Sequence, residues 1–234
     1  YDGLKPVAAN IDVMVIVSAP QPAFSRLLLD RYLVAAHYTG IQPLIVMNKC
    51  DLLSGAERQA LEQQLVPYQA LDYPLLWVSA NSGEGLEALY QQLRAITCVV
   101  VGQSGVGKSS LINCLHPQAA LLTGSLSLQS GLGQHTTTAT RLFHLPCGGD
   151  LIDSPGVREF ALWHLETNAI TAGFRDIAEA EMRCRFRNCS HRNEPGCSVL
   201  AAVAAGQLDQ QRYANYLKII DSLTSDRPRR HVPL

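Results

Sequence analysis

Three short patterns in the sequence carry residue types that could bind and cleave a nucleotide. Gly102-Gln103-Ser104-Gly105-Val106-Gly107-Lys108-Ser109 matches G-x-x-x-x-G-K-[ST] in full. Its glycines let backbone N–H groups converge on phosphate oxygens, and the helix that follows adds partial positive charge at its N-terminus. Lys108 would reach the β- and γ-phosphates and act on the reacting group, and the Ser109 hydroxyl would ligate Mg²⁺, with Ser110 beside it. An ordinary glycine turn with a chance Lys-Ser is the alternative. The apolar strand Cys98 to Val101 before the motif and the helical spacing after it argue against that.

A phosphate cradle does not choose its base. Asn48-Lys49-Cys50-Asp51 has the N-K-x-D pattern and closes the apolar run Pro43 to Met47. A carboxylate there can accept two hydrogen bonds from guanine N1–H and the exocyclic amine. Adenine would leave Asp51 buried and unpaired at a cost of about 1–3 kcal/mol. The Lys49 stem can lie along the base plane while Asn48 braces neighbouring loops. Ser79-Ala80-Asn81 resembles an S-A-K element, whose Ala backbone N–H meets guanine O6, with Asn81 in place of the Lys. Singly, N-K-x-D reads equally as a strand-end turn with an Asx cap; the second strand ending in Ser-Ala about thirty residues later makes the guanine reading specific.

Asp153-Ser154-Pro155-Gly156 is a D-x-x-G element at a strand end. Asp153 would hold Mg²⁺ directly or through water, the Gly156 N–H would meet the γ-phosphate, and Thr137 of the Thr136–Thr138 run would complete the metal shell. Val157 stands where many GTPases place a water-orienting Gln, so intrinsic turnover should be slow. His135 either orients and deprotonates the attacking water or binds backbone or RNA. Arg158 reads as structural rather than as a finger.

Cys184-x₄-Cys189-x-His191-x₅-Cys197 sets three sulfurs and one imidazole within fourteen residues. Such an S₃N set suits one structural Zn²⁺, stapling a segment too small to hold itself; clustered reduced thiols are the alternative. Arg183, Arg185, Arg187 and Arg192 surround the ligands, as a phosphate-contacting patch or as a solvated basic face.

The elements that must position these residues follow from hydrophobic spacing. Strands are expected at Ile11 to Val17, Pro43 to Met47, Tyr73 to Val78, Cys98 to Val101, Arg141 to Leu145 and Asp150 to Ile152. Helices are expected at Phe24 to Tyr38, Ala56 to Leu65 with Ser54 as N-cap, Leu86 to Ile96, Ser109 to Leu115, Ser198 to Ala205 and Asp209 to Leu223. Strand–helix alternation implies an α/β parallel sheet of the P-loop NTPase class. The composition changes near residue 161, so the expected domains are 1–160, nucleotide-binding, and 161–234, a small helical zinc-binding domain. Thr123 to Thr138 reads as a mobile loop.

Bulk composition narrows the classes. The 234 residues are 47% apolar and 17% charged with net charge −1, a globular chain without a global positive field. No apolar run reaches the roughly 18–20 residues of a membrane span, and no signal-peptide pattern opens the chain. The four scattered cysteines, Cys50, Cys98, Cys114 and Cys147, suit reduced thiols and a cytoplasmic location. A monomer is expected. The missing initiator Met suggests an upstream segment.

In Ras-like GTPases the P-loop precedes N-K-x-D and S-A-K; here both base selectors come first and D-x-x-G last. This order, with Gly131-Leu132-Gly133-Gln134-His135-Thr136-Thr137-Thr138, Asp153 to Phe160 and the Cys/His segment, resembles the family of the bacterial ribosome small subunit-dependent GTPase A over essentially the whole chain. The resemblance implies a circularly permuted Ras-like GTPase cycling between GTP and GDP, stimulated by the small ribosomal subunit late in its maturation. It also implies contact with that subunit's rRNA coupled to the GTP state. Members carry an N-terminal OB-fold, which this chain, starting at Tyr1, is expected to lack. A GTP-dependent regulator of another class, in metal transport or tRNA biology, is the competing reading; a metabolite kinase is disfavoured by Asn48 to Asp51.

Overall fold

The computed structural model describes residues 10–117, 141–153, 162 and 165–225. By compactness the chain forms two units, residues 1–24 with 41–159 and residues 25–40 with 160–234. The linear reading assigns residues 25–40 to the nucleotide-binding half, whereas in the folded chain they group with the C-terminal helices.

In the first unit the strands are β1 (Val13–Ser18), β2 (Gln42–Met47), β3 (Leu75–Trp77), β4 (Thr97–Val101), β5 (Arg141–His144) and β6 (Asp150–Asp153). They form one sheet ordered β3-β2-β1-β4-β6-β5. All pairs are parallel except β5 with β6. The runs VMVIVS, QPLIVM and TCVVV are buried over nearly their whole length, as expected of strands covered on both faces. From β1 the chain proceeds to β2 on one side; from β4 it proceeds to the edge strand β5 on the other and returns through β6, which lies beside β4. The order therefore reverses between β1 and β4, and a crevice opens beyond the carboxyl ends of these two strands, where open parallel sheets take ligands.

Helices α2 (Gly55–Gln69), α3 (Leu86–Gln92) and α4 (Lys108–Leu115) complete this unit. Ser54 does cap α2, within a reciprocal capping box with Glu57. Helix α2 outruns its expected end at Leu65 and continues through Pro67, burying Tyr68 as well as Leu61 and Leu65. Helix α3 stops short of Ile96: Ala95 takes φ 56° to turn the chain into β4. Strand β3 is three residues long, shorter than Tyr73 to Val78, because it pairs only with β2, from Ile45 to Met47.

The second unit comprises α1 (Arg26–Thr39), α5 (Thr167–Gly173), α6 (Arg175–Glu181), α7 (Ser198–Ala204) and α8 (Gln210–Ser225). Helix α1 is capped by Ser25, whose side chain accepts from the Leu28 N–H, and ends at Gly40 with φ 71°. Val34 and Ala35 of α1 join Ile170, Phe174, Val199 and Ile219 in one core. A Cβ at Gly173 would collide with Val34, so glycine sets the close approach of α5 to α1.

At the centre of this unit Arg212 is 1% exposed. Its Nε and Nη2 donate to the two carboxylate oxygens of Asp176 at 2.8 and 2.9 Å, and its Nη1 donates to Asp30 Oδ1 at 2.6 Å. Asn215 Nδ2 donates to the other Asp30 oxygen at 2.7 Å. Residues 182 positions apart thus share one buried charge cluster. Breaking a buried pair leaves the remaining charge uncompensated, at about 3–5 kcal/mol. Arg212→Met should accordingly lower stability by that order in chemical denaturation, and a variant within about 0.5 kcal/mol of the parent would show the cluster to be incidental.

Candidate functional site

The P-loop leaves β4 at the crevice edge and turns into α4. Gly102, Gly105 and Gly107 have φ of 142°, 85° and 94°, values that L side chains rarely adopt. Space forbids a side chain too: a Cβ on Gly102 would strike the Val17 carbonyl oxygen, and one on Gly107 would strike the Asn48 amide. Gln103 and Ser104 are exposed, Val106 is buried at 2%, and Ser109 and Ser110 stand exposed at the start of α4. Lys108 Nζ donates to the carbonyls of Gly102 and Gln103 at 2.7 and 2.8 Å, which folds the ammonium over the loop.

Asn48, 1% exposed, joins this loop to the loop that follows β3. Its Nδ2 donates to the Val106 carbonyl at 2.9 Å and its Oδ1 accepts from the Ala80 N–H at 3.2 Å. Lys49 takes φ 61° and donates from Nζ to the carbonyls of Gly105 at 2.6 Å and Gln21 at 2.8 Å. Asp51 Oδ1 accepts from the Ser79 hydroxyl at 2.6 Å and Oδ2 from Asn81 Nδ2 at 3.1 Å. The Ser79 hydroxyl, and after it the Asn81 amide, hold the Asp51 carboxyl below the ordinary 3.8, despite some desolvation. Asp51 is therefore a firm anion with further acceptor capacity on each oxygen. The Ala80 N–H, which the S-A-K likeness directs to guanine O6, donates instead to the Asn48 carboxamide oxygen. Cys50 is a structural thiol, raised to about 11 by burial and then by Glu84.

Asp153 ends β6, opposite Val100 of β4 and across the antiparallel pair from Arg141. Burial raises its carboxyl above the ordinary 3.8, while Lys108 and then Arg141 pull the other way. The structure thus brings together Asn48, Lys49, Asp51, Ser79, Ala80 and Asn81 with residues 102–110, and sets Asp153 within the field of Lys108. His135, Thr137 and Gly156, with Val157 and Arg158, lie outside the described residues. Gln21, which seats Lys49 through its backbone carbonyl, was not identifiable from sequence because any residue type supplies that group.

In the helical unit Cys184, Cys189, His191 and Cys197 present four ligand atoms within 4.8 Å of one another. Bonds of about 2.3 Å to sulfur and 2.0 Å to nitrogen at a tetrahedral centre put sulfurs about 3.8 Å apart and sulfur and nitrogen about 3.5 Å apart. Cys184 and Cys197 Sγ are separated by 3.9 Å, and His191 Nδ1 lies 3.7 and 3.5 Å from them. The donor set therefore fits a tetrahedral metal site. His191, fully buried, turns Nε2 to Glu181 Oε1 at 3.2 Å, the carboxylate partner that orients metal-binding imidazoles. Sequence spacing carries no sign of Glu181, which lies ten residues upstream. The Cys189 thiol is pushed up to about 12, first by burial and further by Cys197 and Cys184.

A sheet whose P-loop follows its N-K-x-D and Ser-Ala loops, yet lies beside them, defines a circularly permuted P-loop GTPase. The chain belongs to the RsgA GTPase family, whose sequence model matches residues 1–163. It is 52% identical over all 234 residues to the small ribosomal subunit biogenesis GTPase RsgA of Haemophilus influenzae strain PittEE, covering 68% of that protein. It is 51% identical over 231 residues to the protein of the same name from Actinobacillus pleuropneumoniae serotype 5b strain L20, covering 67% of it. Two solved structures are similar throughout. YjeQ from Thermotoga maritima has a TM-score of 0.78 at 30% identity, over 93% of this chain and 73% of that one. YloQ, described as a circularly permuted GTPase, has a TM-score of 0.76 at 32% identity, over 94% and 70%.

Removing the Asn48 side chain orphans the Val106 carbonyl and the Ala80 N–H, at about 1–3 kcal/mol. Asn48→Ala should lose that order of stability and at least about tenfold in GDP affinity by fluorescent-nucleotide titration; unchanged affinity would refute its bridging role. Asp153 carries a raised folded-state value, so its penalty is full at neutral pH and vanishes as pH falls through that value. Without added Mg²⁺, Asp153→Asn should therefore melt no lower than the parent at pH 7, with any gain shrinking toward acid, while Mg²⁺-dependent GTP binding is lost. A neutral-pH loss of stability would contradict the burial cost assigned to this carboxylate.

Proposed function

We propose that this GTPase acts late in maturation of the small ribosomal subunit, hydrolysing GTP under stimulation by that subunit, with the GTP state coupled to rRNA contact. The observation carrying the nucleotide chemistry is the Asn48 amide, which holds the phosphate loop and the base-selecting loops to one another. The assignment to the ribosome is supported by relatives named for small-subunit biogenesis at 52% identity across the full chain.

In this reading Asp51, fixed by Ser79 and Asn81, pairs with guanine, Lys49 lines the base plane, and Ala80 shares its N–H with O6. Gly102 to Ser110 cradle the phosphates with Lys108 on the β- and γ-groups. Ser109, Thr137 and Asp153 would hold Mg²⁺, which when bound neutralises charge developing on the phosphate oxygens. Gly156 offers its N–H to the γ-phosphate. Water attacks the γ-phosphorus, the bond to the bridging oxygen breaks, and GDP leaves, with His135 orienting the water and taking its proton. Cys184, Cys189, His191 and Cys197 would hold one structural zinc. Residues 1–160 carry the hydrolysis and residues 161–234 the RNA-facing module, to which the loop after Asp153 leads directly.

Among the described residues no helix is long and apolar enough to cross a membrane, which accords with action on the ribosome. GTP turnover measured with and without purified small subunits should rise at least about tenfold on their addition. His135→Ala should cut the stimulated rate by about 10²-fold with nucleotide affinity intact. Equal turnover with and without subunits would overturn the ribosomal reading, and undiminished turnover in the variant would remove His135 from the chemistry.

A further inference from the structure

The metal-site loop carries side chains that the metal does not use. In Met182-Arg183-Cys184-Arg185-Phe186-Arg187-Asn188 every residue except Cys184 is exposed. Met182 is 78% and Phe186 41% exposed, two of the six large apolar side chains so placed among the described residues. Single exposed apolar groups are ordinary. In this loop, however, an aromatic ring stands among three arginines, with the Arg185 guanidinium 5.5 Å from its centroid. An arginine on an aromatic face extends a flat, cationic π surface.

Of the neighbouring carboxylates, Glu181 bonds His191 and Asp221 pairs with Arg192, while Glu179 reaches Arg183 only in a long, exposed pair at 3.9 Å, the kind that contributes little. Glu194 accepts from Ser190 and from the backbone of Arg192 and Asn193. Among the described residues neither Arg185 nor Arg187 has a carboxylate partner, so their charge is available to a ligand. The loop is also held in shape. The Arg185 N–H donates to the Gly196 carbonyl, the Cys189 N–H to the Phe186 carbonyl, and the Ser198 hydroxyl to the Arg183 carbonyl. A ring carried on a loop whose backbone is already held, beside guanidinium groups without carboxylate partners, costs less further ordering when a flat anionic ligand binds.

We propose that Phe186 with Arg185 forms a stacking platform for an unpaired RNA base, and that Arg183 and Arg187 take the phosphates on either side. The proposal rests on the reading that the helical unit faces ribosomal RNA, and it specifies the RNA: single-stranded, since a stacked duplex base cannot reach an aromatic face. Base–aromatic stacking is indifferent to sequence, whereas each phosphate contact adds to the salt dependence.

The test is fluorescence anisotropy on the whole protein at several salt concentrations, with an unstructured RNA of about ten nucleotides and an RNA duplex of about ten base pairs, lengths within the site size of a single-strand binding module. The single strand should bind more tightly than the duplex. Phe186→Ala should weaken single-strand binding by about 5- to 100-fold without altering the salt slope, and Phe186→Trp should preserve it. Arg187→Ala should reduce the slope by about 0.7. An affinity for Phe186→Ala within twofold of the parent, a duplex bound as tightly as the strand, or no binding by the parent would each overturn the platform. Subunit-stimulated hydrolysis measured on the same proteins keeps the two ideas apart. Stimulation that persists when the platform fails refutes only the platform, and its absence from the parent refutes the ribosomal reading.

Discussion

One buried carboxamide holds the nucleotide site together. Asn48 sits at the end of β2 with a donor and an acceptor on opposite edges, and both are used, toward Val106 in the phosphate loop and Ala80 in the loop after β3. Neither partner is near it in sequence, and both are backbone groups, so the two loops keep a fixed spacing whatever their side chains. Its near-isosteres cannot replace it: aspartate lacks the donor, leucine lacks both. Glycine at position 107 is part of the same constraint, because a Cβ there would occupy the space of the Asn48 amide. Lys49 adds two further carbonyl contacts from the neighbouring position, at the expense of a left-handed backbone.

This clamp explains why permutation is tolerated. A parallel sheet fixes its site through strand neighbours, and the neighbours of β4 are β1 and β6 regardless of the point at which the chain begins. The phosphate loop, the N-K-x-D turn and Asp153 all leave the carboxyl edge of one sheet, and the reversal of strand order between β1 and β4 opens the crevice they share. What permutation changes is the covalent neighbourhood: the chain beyond Asp153 now continues into the helical unit.

That unit is held by different physics. Its helices are mostly seven residues long, too short to be stable alone. Its core is supplemented by two polar devices. One is the Cys₃His cluster, whose interatomic spacings match a tetrahedral metal and whose imidazole is oriented by Glu181. The other is Arg212, which ties Asp30 of α1 to Asp176 of α6 and stacks over Phe174. Both devices bind parts of the chain that would otherwise drift apart, and the second draws α1 into this unit.

The sequence alone carried the patterns from which the chemistry is read. Phosphate cradle, base selector and metal ligands are short local patterns whose function depends on residue type and spacing within one turn, so they are readable without coordinates. Strand positions and the Ser54 cap were legible for the same reason, since burial on both faces and capping leave local signatures. Tertiary structure decided what depends on distant partners. The length of β3 is set by β2, the end of α3 by the turn at Ala95, and the membership of α1 by an arginine 182 residues away. Glu181 and the Gln21 carbonyl escaped notice because a carboxylate behind a metal ligand and a backbone oxygen have no spacing rule. The use of the Ala80 N–H escaped it because a hydrogen-bond donor shows its acceptor only when the chain has folded.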